Sequence, residues 1–275
     1  MLRAFAVKGV ALAAAVLAGW LLPPGWATLA VVVIALAMIG FLTYAIVHPR
    51  SQFFAPVVDR LPAADAVALT FDDGPDPVVT PQILDVLRAH GARATFFVLG
   101  DRAARHPEVI RRIQRDGHAI GTHTQHHRLS FHFAGPRGVQ REIAAAIDVI
   151  DGILGMRPAL FRPPQGLRTP LFGSAWRRMH GLVCVTWTAR GLDSFSTTAA
   201  AIVARVVPRL VPGAIVALHD GTGLGGGSDR RPTVAALATI LAECQARGLR
   251  CVALDAGALG GLARSTFVAA MPGEA

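Results

Sequence analysis

Lysine is nearly absent: Lys8 is the only one in 275 residues, so the formal charge of +9 rests almost wholly on arginine. Those arginines are scattered, and with a single tyrosine and 7% aromatic residues the chain lacks the basic tracts with interleaved aromatics that bind nucleic acid. No nucleic-acid partner is expected, whereas attraction to anionic lipid or phosphate head groups is compatible with the charge. Cysteine is scarce too. Cys184, Cys244 and Cys251 are an odd set without metal-ligand spacing, which offers no disulfide framework and favours a reducing compartment. There is no internal repeat, and "GTGLGGGS" is the single low-complexity stretch.

Charge is missing altogether from two stretches near the start, residues 9–22 ("GVALAAAVLAGWLL") and 26–47 ("WATLAVVVIALAMIGFLTYAIV"). The second exceeds the roughly 20 residues needed to cross a bilayer. The first reaches that length only by taking in Ala4 to Val7 and Lys8, whose long side chain can snorkel. "PPG" between them fits a tight reversal, so residues 1–50 are expected to form a transmembrane helical hairpin. A cleaved signal peptide is the runner-up, with Arg3 and Lys8 as its n-region but no clean small-x-small cleavage site. A buried core hairpin is the third reading. Arg3 and Lys8 precede the pair and Arg50 and Arg60 follow it, which places both ends on the cytoplasmic side of a bacterial inner membrane by a narrow count. If only the second run spans, the large domain lies outside.

Residues 51–63 read as a Pro-containing connector, and residues 64–275 as one soluble domain. Short apolar runs recur at 66–71, 94–99, 118–122, 159–162, 182–187, 214–219 and 249–254, with helical spacing between most of them. An example has Thr80 as N-cap, Pro81 at the first helical position, Ile83, Leu84 and Leu87 on one face, and Gly91 closing the end. Hairpin turn signals are missing, so the strands are expected to be parallel, in an open doubly wound sheet or a barrel.

Residues with chemistry recur at one place in each unit. Asp72 and Asp73 follow the first run in "LTFDDGPDP", His123 and His127 the third in "GTHTQHH", and Arg162 ends the fourth in "FRPPQG". Asp193 follows the fifth in "WTARGLDS", and His219 with Asp220 ends the sixth in "IVALHDG". The carboxyl ends of barrel strands converge on one rim, so these residues would line one pocket. Two imidazoles and a carboxylate leave an open position on zinc or a similar divalent ion, where water ionises near neutrality, and this is a hydrolytic site. The histidine spacing is that of H-E-x-x-H enzymes, but threonine stands where their glutamate base would be, so a base must come from elsewhere. The neighbouring Asp is available.

"TFDDGP", "HTQHH", "FRPP", "LDS" and "VALHDG", in this order, resemble the motifs of the polysaccharide deacetylase family, also called the NodB homology domain or carbohydrate esterase family 4. The likeness covers about residues 64 to 256. It implies a distorted (β/α) barrel of about seven parallel strands, here preceded by the transmembrane hairpin. It implies a carbohydrate N-deacetylase, a hydrolase of carbon–nitrogen bonds that removes acetate from an amino sugar in a glycan or a lipid-linked saccharide. Asp73, His123 and His127 resemble ligands of a divalent metal, most often zinc, with cobalt, nickel or manganese as alternatives. Asp72 resembles the general base, Arg162 the arginine that holds it, and His219 the general acid oriented by Asp193. Pro164, Gln165, Trp187 and Leu218 fall along the substrate groove, with a backbone N–H near Gln165 for the oxyanion. Two other readings remain: a deformylase or other small-acyl amidase with the same machinery, and a non-catalytic membrane-tethered glycan-binding module.

The sequence departs from the family pattern at Gln165, where an aromatic residue is common, and at His126 and Arg128, where a small residue and proline are common. His126 is the alternative to His127 as ligand, and His118, His132 and His180 read as ordinary surface or core residues. "GTGLGG" from Gly221 fits a dinucleotide-binding G-x-G-x-x-G, but "GSDRRP" intrudes and Pro232 suits the helix start, so it reads as a flexible rim loop or lid.

Overall fold

The computed structural model describes residues 2–195, 198–223 and 229–261. Two helices come first, α1 (Leu2–Leu21) and α2 (Pro24–Val47), packed on one another across a reversal at Leu22 and Pro23. The expected hairpin is therefore present as two helices. Among the described residues α2 is the one helix long and apolar enough to cross a membrane, with mean hydropathy 2.6 over an 18-residue window of which 6% is buried. The apolar part of α1, Gly9–Leu21, is shorter. Trp20, Trp26, Leu36 and Ile39 stand exposed along the pair, an apolar surface that the rest of the protein does not cover.

Eight short strands follow among the described residues: β1 (Ala66–Asp72), β2 (Ala94–Val98), β3 (Ala119–Thr122), β4 (Leu160–Phe161), β5 (Val183–Cys184), β6 (Ala189–Arg190), β7 (Ile215–His219) and β8 (Arg250–Cys251). Every pairing between them is parallel, in the order β5-β4-β3-β2-β1-β7-β6, with β8 on the first residues of β1. Helices α3 (Val79–Ala89), α4 (Gly100–Arg105), α5 (Pro107–Arg115), α6 (Pro136–Leu154), α7 (Pro170–Trp176), α8 (Ala199–Val206) and α9 (Arg231–Ala246) complete a curled α/β half-barrel. Seven strands lie in the runs marked in the sequence. The eighth, β6, is two residues long, too short to show a period.

The segment read as a connector is part of this wall. Val58 bridges Val185 beyond β5, Arg60 bridges Ala214 before β7, and Val57, Val58 and Leu61 are buried, so residues 58–61 span the side of the sheet that the strands leave open.

Strand period two sorts the core into layers. On β1, Val67, Leu69 and Phe71 pack with the helices, whereas Ala66 and Ala68 face the barrel interior with Phe97, Leu160, Val183, Val185 and Ile215. Continuing the interior parity brings Thr70 and then Asp72 to the same side.

One cap differs from expectation. Thr80 is not the N-cap of α3: it lies within the first turn, and its hydroxyl donates to Asp220 Oδ2 at 2.6 Å. Asp76 does the capping, its Oδ1 accepting from the N–H groups of Val78 and Val79 at 2.9 and 2.8 Å. Gly91, at φ +60°, closes the other end as expected.

Candidate active site

The interior parity of four strands ends in chemistry. Asp72 ends β1, His123 follows β3, Arg162 follows β4, and His219 ends β7, with Asp72 and His219 as register partners. Together with Asp73, His127, Gln165, Trp187 and Phe195 most of these line a cleft of about 640 Å³.

Asp73, His123 and His127 are buried, and one potential ligand atom from each lies within 4.8 Å of the others. His123 Nε2 and His127 Nε2 approach Asp73 Oδ1 at 3.5 and 3.3 Å. His123 Nδ1–H donates to the carbonyl of Arg162 at 2.7 Å, which leaves the Nε2 lone pair turned toward the group. Burial, then the neighbouring His127, hold His123 well below the usual histidine pKa, so it is a neutral ring. Asp73 Oδ1 is buried without a hydrogen-bond partner, the condition of an oxygen that awaits a cation. This donor set fits a divalent metal.

The backbone here is forced. All five non-glycine residues with positive φ among those described are Asp73 (71°), Thr124 (79°), His127 (55°), Gln165 (50°) and Leu192 (53°), and four of them line the cleft. Side chains rarely adopt this conformation, and its gathering at one place is the mark of a functional site. Gly223 packs so closely that a Cβ there would lie 2.7 Å from Asp73 Oδ2.

Arg162 is fully buried and spends its guanidinium locally. Nη1 donates to Asp72 Oδ1 at 2.8 Å and Thr70 Oγ1 at 2.6 Å, Nη2 donates to the Thr186 carbonyl at 2.9 Å, and the plane lies 4.2 Å from the centre of the Phe97 ring. Burial pushes the Asp72 carboxyl up from its ordinary value, and Arg162 and His219 oppose that rise.

Asp193 grips His219 twice: Oδ1 accepts from the ring Nδ1–H at 2.7 Å and Oδ2 accepts from the backbone N–H at 2.7 Å. Burial alone would lower the imidazole, but Asp193, with Asp73 and Asp72, overrides it and raises His219 to about 9. At neutral pH the ring is an imidazolium, and with Nδ1 engaged its transferable proton is on Nε2.

Two expected groove residues fall elsewhere. Leu218 has the wrong strand parity: it is buried among the helix-facing residues, and Ala217 lines the cleft in its place. Pro164 is buried and does not line the cleft, whereas Gln165 and Gly166 do. Trp187 lines the cleft. His126 pairs through Nδ1 with Glu142 Oε1 at 2.9 Å, and it is His127 that joins Asp73 and His123 in the group that could hold a metal.

Other residues were not legible as site components. His132 Nε2–H donates to Gln165 Oε1 at 2.6 Å and so orients that amide. Thr233 Oγ1 donates to Asp193 Oδ2 at 2.9 Å, and Arg230 donates to the Asp193 carbonyl at 2.8 Å and the Gly221 carbonyl at 2.6 Å. Asp220, by contrast, was read in the sequence beside His219 as lining the pocket, but it is buried and does not line the cleft; raised by burial to about 7, it sits against Gly74, where any Cβ would collide with it. α9 begins at Arg231 with Pro232 in its first turn, as expected, and residues 224–228 of the glycine-rich loop lie outside the described residues.

Residues 60–180 match the polysaccharide deacetylase family. A peptidoglycan-N-acetylglucosamine deacetylase of Bacillus cereus is 38% identical over 195 residues, spanning 69% of this chain and 86% of that protein. A chitooligosaccharide deacetylase of a Bradyrhizobium species is 38% identical over 192 residues, 66% of this chain and 86% of its own length. Among solved structures, a family 4 acetyl xylan esterase from Clostridium thermocellum in complex with a cobalt ion is similar at a TM-score of 0.63 and 34% identity, covering 71% of this chain and 92% of that one.

Proposed function

The chain belongs to the polysaccharide deacetylase family, and from that premise we propose that it hydrolyses the N-acetyl group of an amino sugar within a saccharide, releasing acetate and a free amine. The observation that carries the reading is the convergence of three groups on one cleft: the Asp73, His123 and His127 ligand set, Asp72 held by Arg162, and the His219–Asp193 pair.

Asp73, His123 and His127 would hold a divalent cation, zinc being well matched to two imidazoles and a carboxylate with an open position. Such an ion polarises the acyl oxygen and makes a water acidic near neutral pH. Asp72 takes the proton of the attacking water on Oδ2, because Oδ1 is occupied by Arg162. Gln165 lines the cleft, and its backbone N–H would receive the developing oxyanion. His219 delivers the Nε2 proton to the departing nitrogen, and Asp193 retains Nδ1 and stabilises the ring's charge.

α2 supports a membrane anchor: if α1 spans with it, the count of basic residues puts both chain ends on the cytoplasmic side, and if α2 spans alone, the catalytic domain lies outside. An anchored cleft favours a lipid-linked amino sugar as substrate over long glycan strands. The test offers the purified, metal-loaded full-length protein a lipid-linked N-acetylhexosamine, its N-formyl counterpart, peptidoglycan fragments and chitooligosaccharides, and measures free amine. Activity confined to long soluble oligomers would remove the lipid-linked substrate. Absence of turnover on every substrate would leave the glycan-binding module.

A further inference from the structure

We propose that the side-chain amide of Gln165, held in place by His132, donates a hydrogen bond to the acyl oxygen as negative charge develops on it, so that Gln165 serves the reaction with its side chain as well as its backbone. The proposal rests on the deacetylase reading above. It gives His132, which does not line the cleft, the part of a positioning residue.

Gln165 is exposed and lines the cleft. Both ends of its amide have a neighbour: Oε1 accepts from His132 Nε2–H at 2.6 Å, and Nε2 stands 3.5 Å from His127 Nε2. Chemistry assigns the two ends. An amide oxygen only accepts, so the short bond takes the N–H of the His132 ring. A reversed amide would set its oxygen against the His127 Nε2 lone pair, which the group of Asp73, His123 and His127 needs for a cation. The amide N–H groups therefore face the ligand set. At 3.5 Å the contact with His127 is at the limit of a hydrogen bond, so it leaves them free to serve a ligand. An acyl group attacked beside these three residues brings its oxygen to that place. The backbone N–H of Gln165 has no protein acceptor among the described residues, so one residue offers two donors.

Both partners of the 2.6 Å bond are fixed by the fold. Gln165 sits at φ +50° in the turn Pro164–Gly166, where the Pro163 and Pro164 carbonyls accept from the N–H groups of Gly166 and Leu167 at 2.9 and 3.1 Å. Gly166 is pressed so closely on Trp187 that a Cβ would lie 2.3 Å from the indole. His132 ends the 3₁₀ turn Leu129–His132, is 5% exposed, and meets the Phe131 ring edge-on at 5.5 Å. Its carbonyl accepts from Thr169 Oγ1 at 3.3 Å, and the same hydroxyl oxygen caps α7 by accepting from the Phe172 N–H at 3.2 Å. His132 Nδ1 is buried without a partner. The ring thus spends its one side-chain hydrogen bond on a cleft residue and leaves its other nitrogen unpaired, a cost that packing alone does not explain. A donor aimed in advance needs no reorganisation when charge appears on the acyl oxygen.

The test uses the full-length, zinc-loaded protein in neutral detergent micelles, with whichever of the four substrates above it turns over fastest. Gln165→Met keeps the reach of the side chain and removes the donor, and at an exposed position it leaves the core as it is. It is expected to lower kcat roughly 10²-fold while KM stays within about threefold. His132→Phe keeps a ring and removes its N–H, and it is expected to lower kcat roughly tenfold, because the amide remains but is no longer aimed. The double variant is expected to be no slower than Gln165→Met, since His132 acts only through the amide. Losses that multiply in the double variant overturn the positioning role and make His132 structural; His132→Leu completes the same cycle should His132→Phe not fold. Unchanged kcat in Gln165→Met, or a loss carried by KM alone, overturns the donor to the developing charge. Acetate binding to the zinc-loaded protein, read by titration calorimetry, separates the proposal from the deacetylase reading. Roughly tenfold weaker binding by Gln165→Met supports the amide donor even if no saccharide is hydrolysed, and unchanged binding overturns it.

Discussion

Arg162 Nη1 and Asp72 Oδ1 lie 2.8 Å apart with both side chains out of solvent, although the two residues are 90 positions apart in the chain. The arginine has a double effect: it offsets the cost of keeping a carboxylate ionised in a buried place, and by taking Oδ1 it leaves Oδ2 for a proton from water. Asp72→Asn keeps an acceptor for Arg162 and removes the base. It is expected to lower kcat roughly 10²- to 10⁴-fold while the protein still folds and retains its metal. Steady-state assay alongside elemental analysis reads both, and turnover that survives the change would take Asp72 out of the reaction.

Asp73, His123 and His127 supply the whole ligand set found among the described residues. Chelation is expected to abolish turnover, and added zinc or cobalt to restore it. In His127→Ala the remaining pair should bind metal at least about 10-fold more weakly, and activity should return only at high metal concentration. Full metal content in that variant would mean that another residue completes the site.

How much of this could be read from the chain depends on distance along it. Asp73, His123 and His127 were legible because each follows an apolar run at the same place in a repeating strand–helix unit, and parallel strands bring such places together. Leu218 was placed along the groove by the resemblance, whereas the alternation of faces decides: Ala217 and His219 share the interior parity and Leu218 does not. Thr80 followed by Pro81 has the local form of a helix start, yet Asp220, 140 positions away, takes its hydroxyl. Arg230 and Thr233 reach Asp193 from 37 and 40 positions away, and Arg168 reaches His48 across 120, contacts that no local pattern encodes.

The His219–Asp193 pair sets a pH signature. His219 is raised from 6.5 to about 9, so the protonated acid is present below that value and activity should fall as pH rises through about 9. The same shift stabilises the fold fully below about 6.5, and the stabilisation is lost between 6.5 and 9. Asp193→Asn removes the largest of the charges that oppose burial and leaves only Asp73 and Asp72 against it, so the alkaline limb should move down from about 9 and kcat at pH 8 should drop. A kcat–pH profile decides it: a limb that stays near 9 in the variant removes His219 from the role of acid.

The end of α2 belongs to the fold as much as to the anchor. Arg168 is fully buried, and its guanidinium donates to the carbonyls of Gly166 and His48, so it ties the end of the hairpin to the glycine on which Trp187 packs. Deleting residues 2–40 keeps Ala45, which is buried, together with Ile46 and His48. Deleting residues 2–50 removes the acceptor and leaves a buried guanidinium partly unsatisfied, at a cost of about 1–3 kcal/mol. Urea denaturation in detergent should therefore show the longer deletion unfolding at a lower midpoint than the shorter one. It should also raise KM more than it lowers kcat, because the disturbed wall at Gly166 and Trp187 borders the cleft while the metal ligands stand on other strands. Equal midpoints for the two truncated chains would show that the catalytic domain is stable without the hairpin's last turn.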